Sequence, residues 1–213
     1  MYRLPRAAFF LLVVRPVVAV LLGMNVRHRQ RLPSHGPALV VANHNSHLDT
    51  LVLMTLFPIR LLPHVRPVAA ADHFLKNRLA AWFFTRLIGI LPIDRNPRAG
   101  KGDPLGIVTE AVERGDIVIL FPEGTRGEPE QLAAFKSGVA HLARRHPDVP
   151  VVPVYLHGLG KALPRGEGLL VPFVCDAFVG HPVHWNGDRN AFMEQLQACM
   201  TALADEGNFP PWV

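Results

Sequence analysis

At 213 residues, 49% hydrophobic and 18% charged, the chain is long and apolar enough for one domain with a sizeable core, which excludes intrinsic disorder. Its net charge of +5 is unevenly placed: Arg3, Arg6, Arg15, Arg27, Arg29 and Arg31 all precede the first acidic residue, Asp49, and the remainder nearly balances. That distribution argues against a nucleic-acid-binding body and for a basic amino-terminal segment facing anionic lipid; Cys175 and Cys199 lack the spacing of a disulfide framework or a zinc knuckle and read as core residues.

Residues 7–24 are apolar apart from Arg15 and Pro16. As a helix this run would reach roughly 27 Å, close to the hydrocarbon thickness, yet a central arginine costs about 2.5 to 3.5 kcal/mol on insertion scales. Pro16 also interrupts the backbone ladder. A helix lying in one leaflet, with Arg15 snorkelling, fits better than a span or a core helix. A secretory signal is disfavoured because Arg27, Arg29 and Arg31 follow the run without an A-x-A site, and a transit peptide because no serine precedes Ser34. Residues 1–31 are therefore expected to be a membrane-associating segment at the cytoplasmic face, and residues 32–213 the domain proper.

Residues 38–42 form a short apolar run that suits a buried strand, and residues 47–57 read as a helix stopped by Pro58. Residues 65–70 are a second strand, residues 76–88 an apolar helix carrying Trp82, Phe83 and Phe84, and residues 90–93 a third strand. Asp103-Pro104 supplies a cap with proline at the first helical position, and Gly115 closes that helix. Strand 117–120, helix 137–146, strand 149–155, an extended stretch over 169–179 and a helix over 188–203 complete the order. This alternation predicts an α/β single domain with a largely parallel mixed sheet flanked by helices.

In such folds ligands bind beyond the carboxyl ends of the strands, and His44, Arg95 and Glu123 each follow a predicted strand. His44 and Asp49 form the one His-x4-Asp spacing in the chain. A carboxylate five residues on, in the first turn of a helix, can orient the imidazole and leave its other nitrogen as a general base for an alcohol. The bland alternative is Asp49 as a helix N-terminal charge and His44 as a loop residue. Ser34, Ser46 and Ser137 lie outside any G-x-S-x-G elbow, which favours direct attack by a substrate hydroxyl over an acyl-enzyme. Phe121-Pro122-Glu123-Gly124-Thr125-Arg126 suggests an anion clamp. Arg95 and Arg126 offer planar forks for phosphate, Gly124 lets backbone amides approach, and Lys136 adds a third charge. Glu123 either orders Arg126 or accepts hydrogen bonds from substrate hydroxyls.

These motifs together resemble the 1-acylglycerol-3-phosphate acyltransferases of the glycerolipid acyltransferase family, over roughly residues 38–183. Asn43-His44-Asn45-Ser46-His47-Leu48-Asp49 is similar to the family's N-H-x-S-x-x-D block, Gly89 to Arg95 to its second, Phe121 to Arg126 to its third, and Val152-Pro153-Val154 with Gly158 to its fourth. Gly180-His181-Pro182-Val183 resembles a family tail. The resemblance implies His44 as base, Asp49 as its orienting partner, Arg95 on the glycerol phosphate, and Glu123, Gly124, Thr125 and Arg126 in substrate binding. It implies acyl transfer from a thioester of coenzyme A or acyl carrier protein to a lysophospholipid hydroxyl, with 1-acylglycerol 3-phosphate giving phosphatidic acid. Glycerol 3-phosphate or another lysolipid is the alternative acceptor. No cofactor or metal is implied, and the partners are a membrane lipid bilayer and the two substrates, not nucleic acid. Gly127 and His157 depart from the family's usual small or serine residues. Two other classes compete: a metal-dependent hydrolase built on His44, His47 and Asp49, and a non-catalytic lipid-binding module using the basic arm.

Overall fold

Short, largely apolar segments of three to seven residues recur along the chain and assemble as strands into one sheet. The computed structural model describes residues 3–71, 77–94, 103–125, 127, 130–163 and 171–209. Its strands are β1 (Leu22–Arg27), β2 (Ala38–Ala42), β3 (Val65–Ala70), β4 (Leu91–Ile93), β5 (Ile117–Leu120), β6 (Val151–His157) and β7 (Phe173–Val179). They lie in the order β1-β7-β6-β2-β5-β3-β4. All neighbouring pairs are parallel except β6 and β7. Every residue of β2 is buried, as an interior strand covered on both faces requires.

Alternate side chains serve two core layers. Val40, Ile117, Ile119 and Val152 pack on one face with Val52, Leu53 and Met54 of helix Asp49–Thr55 and with Phe10, Val14 and Val18 of the amino-terminal helix. Leu39, Val41 and Val118 pack on the other face with the helices Gly106–Glu113, Gly138–Arg145 and Arg189–Glu206. Asp188 caps the last helix by accepting from Ala191 N at 2.7 Å. The helix expected from Asp103-Pro104 starts later, at Gly106, because Asp103 instead closes a turn in which its side chain accepts from Leu105 N at 3.0 Å.

Residues Arg3–Phe9 are α-helical, Phe10–Val14 form a π-helical segment, and Arg15–Leu21 resume the α-helix. The apolar run does not stay helical to Met24. Leu22 opens β1, whose buried and exposed residues alternate as it pairs with β7. The arginines read as facing lipid also have partners in the body. Arg6 Nη2 donates to Val65 O at 2.6 Å, Arg15 Nη2 to Phe57 O at 2.7 Å, Arg29 Nη2 to Leu56 O at 2.8 Å and Arg31 Nη1 to Val179 O at 3.1 Å. The outer face of the helix exposes Leu4, Leu11, Leu12, Val13, Val17 and Val20. Residues Leu4–Leu21 have a mean hydropathy of 1.9 and are long and apolar enough to cross a membrane, by length and composition.

Candidate active site

Beyond the carboxyl end of β2 the backbone leaves the sheet, and Asn43 takes over the pairing. Its side chain donates to Leu156 O at 2.8 Å and accepts from Leu156 N at 2.7 Å, extending the β2–β6 ladder by one amide. The next residue, His44, turns back towards Asp49, the first residue of helix Asp49–Thr55. Asp49 is 0% exposed, and its Oδ2 accepts from His44 Nδ1 at 2.8 Å, Asn45 N at 2.7 Å and Ser46 N at 2.9 Å. One carboxylate oxygen thus closes the loop and orients the ring. With Nδ1–H donated to Asp49, Nε2 is left with its lone pair, the form a general base needs.

The carboxyl end of β5 supplies the other wall. Phe121 stacks on the His44 ring with centroids 4.3 Å apart and planes 24° from parallel. Glu123 is buried, and its Oε1 accepts from His44 N at 3.4 Å, so this carboxyl braces the His44 backbone. Burial pushes Glu123 up to about 7; the His44 amide opposes that shift and the nearby Asp49 charge adds to it. Gly124 adopts φ +74°, and a Cβ there would stand 2.6 Å from Lys136 Nζ. The glycine therefore admits the ammonium, while Lys136 N donates to Pro122 O at 2.8 Å and fixes the strand of chain that carries it. Thr125 is exposed at the same turn.

Between these walls lies a cavity of about 440 Å³, with His44, His47, Thr125 and Lys136 among its polar lining and Val68, Ile93, Leu105, Leu120, Val139 and Leu142 among its apolar lining. His44, Gly124, Thr125 and Lys136 thus come together, with Asp49 behind the histidine and Glu123 behind the turn. Arg95 and Arg126 lie outside the described residues. Among the described residues no three His, Cys, Asp or Glu side chains come together in a metal-holding group.

Glu130 escaped the sequence reading. At φ +63° it donates its backbone N–H to Asn45 Oδ1 at 3.3 Å, while its carboxylate accepts from Asn45 Nδ2 at 3.2 Å and Gly160 N at 3.3 Å. Burial pushes Glu130 also up to about 7, against hydrogen bonds from Gly158 and Gly160. Its partners lie 85 and 30 residues away, so no local pattern marks it. The two departures from the family pattern have local settings. A Cβ on Gly127 would come within 3.3 Å of Glu123 Oε2, and His157 lies 3.8 Å from Glu130 and stacks on Phe209 with ring centroids 3.5 Å apart.

Fold and site define an α/β protein in which a carboxylate-oriented histidine opens, at the centre of a mixed sheet, onto a half-apolar cavity with an ammonium at its rim. A model of the Acyltransferase family matches residues 23–157, and the chain belongs to that family. It is similar to the chloroplastic 1-acyl-sn-glycerol-3-phosphate acyltransferase LPAT1 of Arabidopsis thaliana, at 31% identity over 76% of this chain and 44% of that one. It is also similar to the human 1-acyl-sn-glycerol-3-phosphate acyltransferase alpha, at 31% identity over 77% of this chain and 56% of that one. The chain spans about half the length of these curated relatives. In fold it resembles the crystal structure of the 1-acyl-sn-glycerophosphate (LPA) acyltransferase PlsC from Thermotoga maritima, with a TM-score of 0.73 and 20% identity over 96% of this chain and 79% of that one.

Proposed function

We propose that the protein transfers a fatty acyl group from an acyl thioester to the free hydroxyl of 1-acylglycerol 3-phosphate, giving phosphatidic acid. The observation that carries this reading is the 2.8 Å contact of His44 Nδ1 with Asp49 Oδ2 on the wall of the cavity. His44 Nε2 removes the proton of the acceptor hydroxyl as its oxygen attacks the thioester carbonyl. The tetrahedral intermediate collapses by breaking the carbon–sulfur bond, and the proton on Nε2 passes to the departing thiolate. Asp49 stabilises the imidazolium between the two steps. Lys136 and the Gly124–Thr125 turn hold the acceptor phosphate, joined by Arg95 and Arg126 as the sequence motifs suggest, while the apolar lining takes the start of an acyl chain. The exposed face of the amino-terminal helix lies in one leaflet of a bilayer, with its buried face on the body, and delivers the cavity to lipid substrates.

The test is acyl transfer by purified protein from acyl-coenzyme A, and separately from acyl carrier protein, to lysophosphatidate or glycerol 3-phosphate. Phosphatidate is the expected product, and His44→Ala is expected to slow its formation by about 10²- to 10⁴-fold. Transfer at an undiminished rate by His44→Ala would sink the mechanism. Glycerol 3-phosphate as the sole acceptor would move the reading to the first acylation of the glycerol backbone.

A further inference from the structure

A second cavity, of about 400 Å³, lies at the opposite ends of β3 and β4 from the one at His44. The first is lined by Ala70 and Ile93, the last residues of those strands, and the second by Pro63, Arg66 and Leu91 at their beginnings. Three arginines from three elements converge on it: Arg6 from the amino-terminal helix, Arg66 from β3 and Arg86 from the π-helical segment Phe83–Ile88. Arg6 is only 4% exposed. One of its terminal nitrogens is bound to Val65 O, but its Nε, like that of Arg66, is buried with no hydrogen-bond partner among the described residues.

The surrounding backbone is shaped to the guanidinium. Gly89 holds φ +83°, and a Cβ there would stand 2.6 Å from Arg6 Nη1. The charge is incompletely answered. Asp116 acts on both Arg6 and Arg66, but it also serves Arg114 at 3.9 Å and His64 at 3.4 Å. Burial, and then the Arg66 charge, pull Arg6 down to about 9. Buried donors without acceptors, beside one carboxylate shared among several basic groups, are costly and are relieved by an anion with several oxygens. Guanidinium forks match a tetrahedral oxyanion, and the volume leaves room for more than the anion itself.

We propose that this cavity is a second anion site, taking the phosphate group of a ligand that does not react at His44. The helices carrying Arg6 and Arg86 also expose Leu4 at 83%, Leu79 at 82% and Trp82 at 50%, so the phosphate is either a lipid headgroup in a bilayer or free in solution. The site stands on these residues alone and does not depend on the acyl-transfer reading.

The test is binding to the full chain, by calorimetry with inorganic phosphate and by flotation with phosphatidylcholine vesicles with and without phosphatidate. The variants are Arg66→Gln, Arg86→Gln and Lys136→Ala, with the thermal midpoint of each recorded. Arg86 is on the exposed side, so its replacement decides the matter if Arg66→Gln does not fold. The expected result is a class of phosphate binding weakened about tenfold by Arg66→Gln or Arg86→Gln and unaffected by Lys136→Ala, the loss of about one charge-assisted contact. Saturable binding of inorganic phosphate identifies a soluble ligand; arginine-dependent binding to phosphatidate vesicles alone identifies a headgroup. Binding that is insensitive to both arginine replacements, or no binding in either arm, overturns the proposal. Failure of the acyl-transfer reading would leave the arginine-dependent class intact.

Discussion

Asp49 Oδ2 receives the His44 ring and two loop amides on one atom, and this sets what the conservative replacement does. Asp49→Asn retains volume but turns the imidazole towards the wrong tautomer, so kcat for acyl transfer is expected to fall by about 10²- to 10⁴-fold with little change in the acceptor KM. Steady-state kinetics on the folded variant check this; an equal loss through KM alone would assign Asp49 to binding. Glu123 and Glu130 make a separate statement about pH. Both are raised from 4.5 to about 7 by burial, so between those values the folded protein binds more protons than the unfolded chain. Their contribution is therefore fully present below the ordinary carboxylate range and is lost as pH rises through about 7. Thermal midpoints should decline from about pH 5 to about pH 8, and Glu123→Gln or Glu130→Gln should flatten that decline. The approach of His44 to Asp49 is legible in a five-residue spacing, whereas the Phe121 stack, the Glu123 brace and the Glu130–Asn45 bonds join residues 77 to 85 apart, where no sequence period operates.

At the scale of elements, the amino-terminal helix has two faces with different duties. Phe10, Val14 and Val18 belong to the core, while Leu12 and Val20 are among its most exposed apolar residues. Leu12→Asp with Val20→Asp should leave the thermal midpoint nearly unchanged and cut partition onto anionic vesicles by more than about tenfold, the scale of removing two apolar side chains from lipid. Deleting residues 1–31 is a different experiment, because it removes β1 and part of the core; loss of soluble folded protein is the expected outcome, read by circular dichroism. The strands β2 and β5 are legible as continuous apolar runs bounded by turn residues, while β3 is interrupted by Arg66 and Pro67. β1 is not: Gly23 and Asn25 are poor strand formers, and Leu22 and Met24 continue the apolar composition of the helix before them. Its strand state comes from pairing with β7, a contact that composition does not reveal. The π-helical segments at Phe10–Val14 and Phe83–Ile88 are equally silent, since their residues suit an α-helix as well.

At the scale of the molecule, alternating elements foretell the layered α/β plan, but strand order and the antiparallel β6–β7 pair depend on contacts far apart in sequence. Order matters to function here, because placing β2 beside β5 is what brings His44 against Phe121. Cys175 offers a probe of this whole architecture. Its side chain is fully buried, and burial, with Glu130 and Asp176 adding, pushes the thiol up to about 12. Its labelling by a thiol reagent should therefore track global unfolding across a denaturant series, while the half-buried Cys199 reacts earlier. Labelling of Cys175 at the rate of Cys199 in native buffer would contradict the packing described. The β1–β7 pairing bears finally on how the protein is made. Leu22 finds its sheet partner in Phe173, some 150 residues later. At about 5 to 20 residues per second, the ribosome needs roughly 8 to 30 seconds to supply it. By then β2 to β6, whose side chains form the core on which the amino-terminal helix docks, have already been made, so β1 is the last strand to find its place and this edge of the sheet closes only late in synthesis.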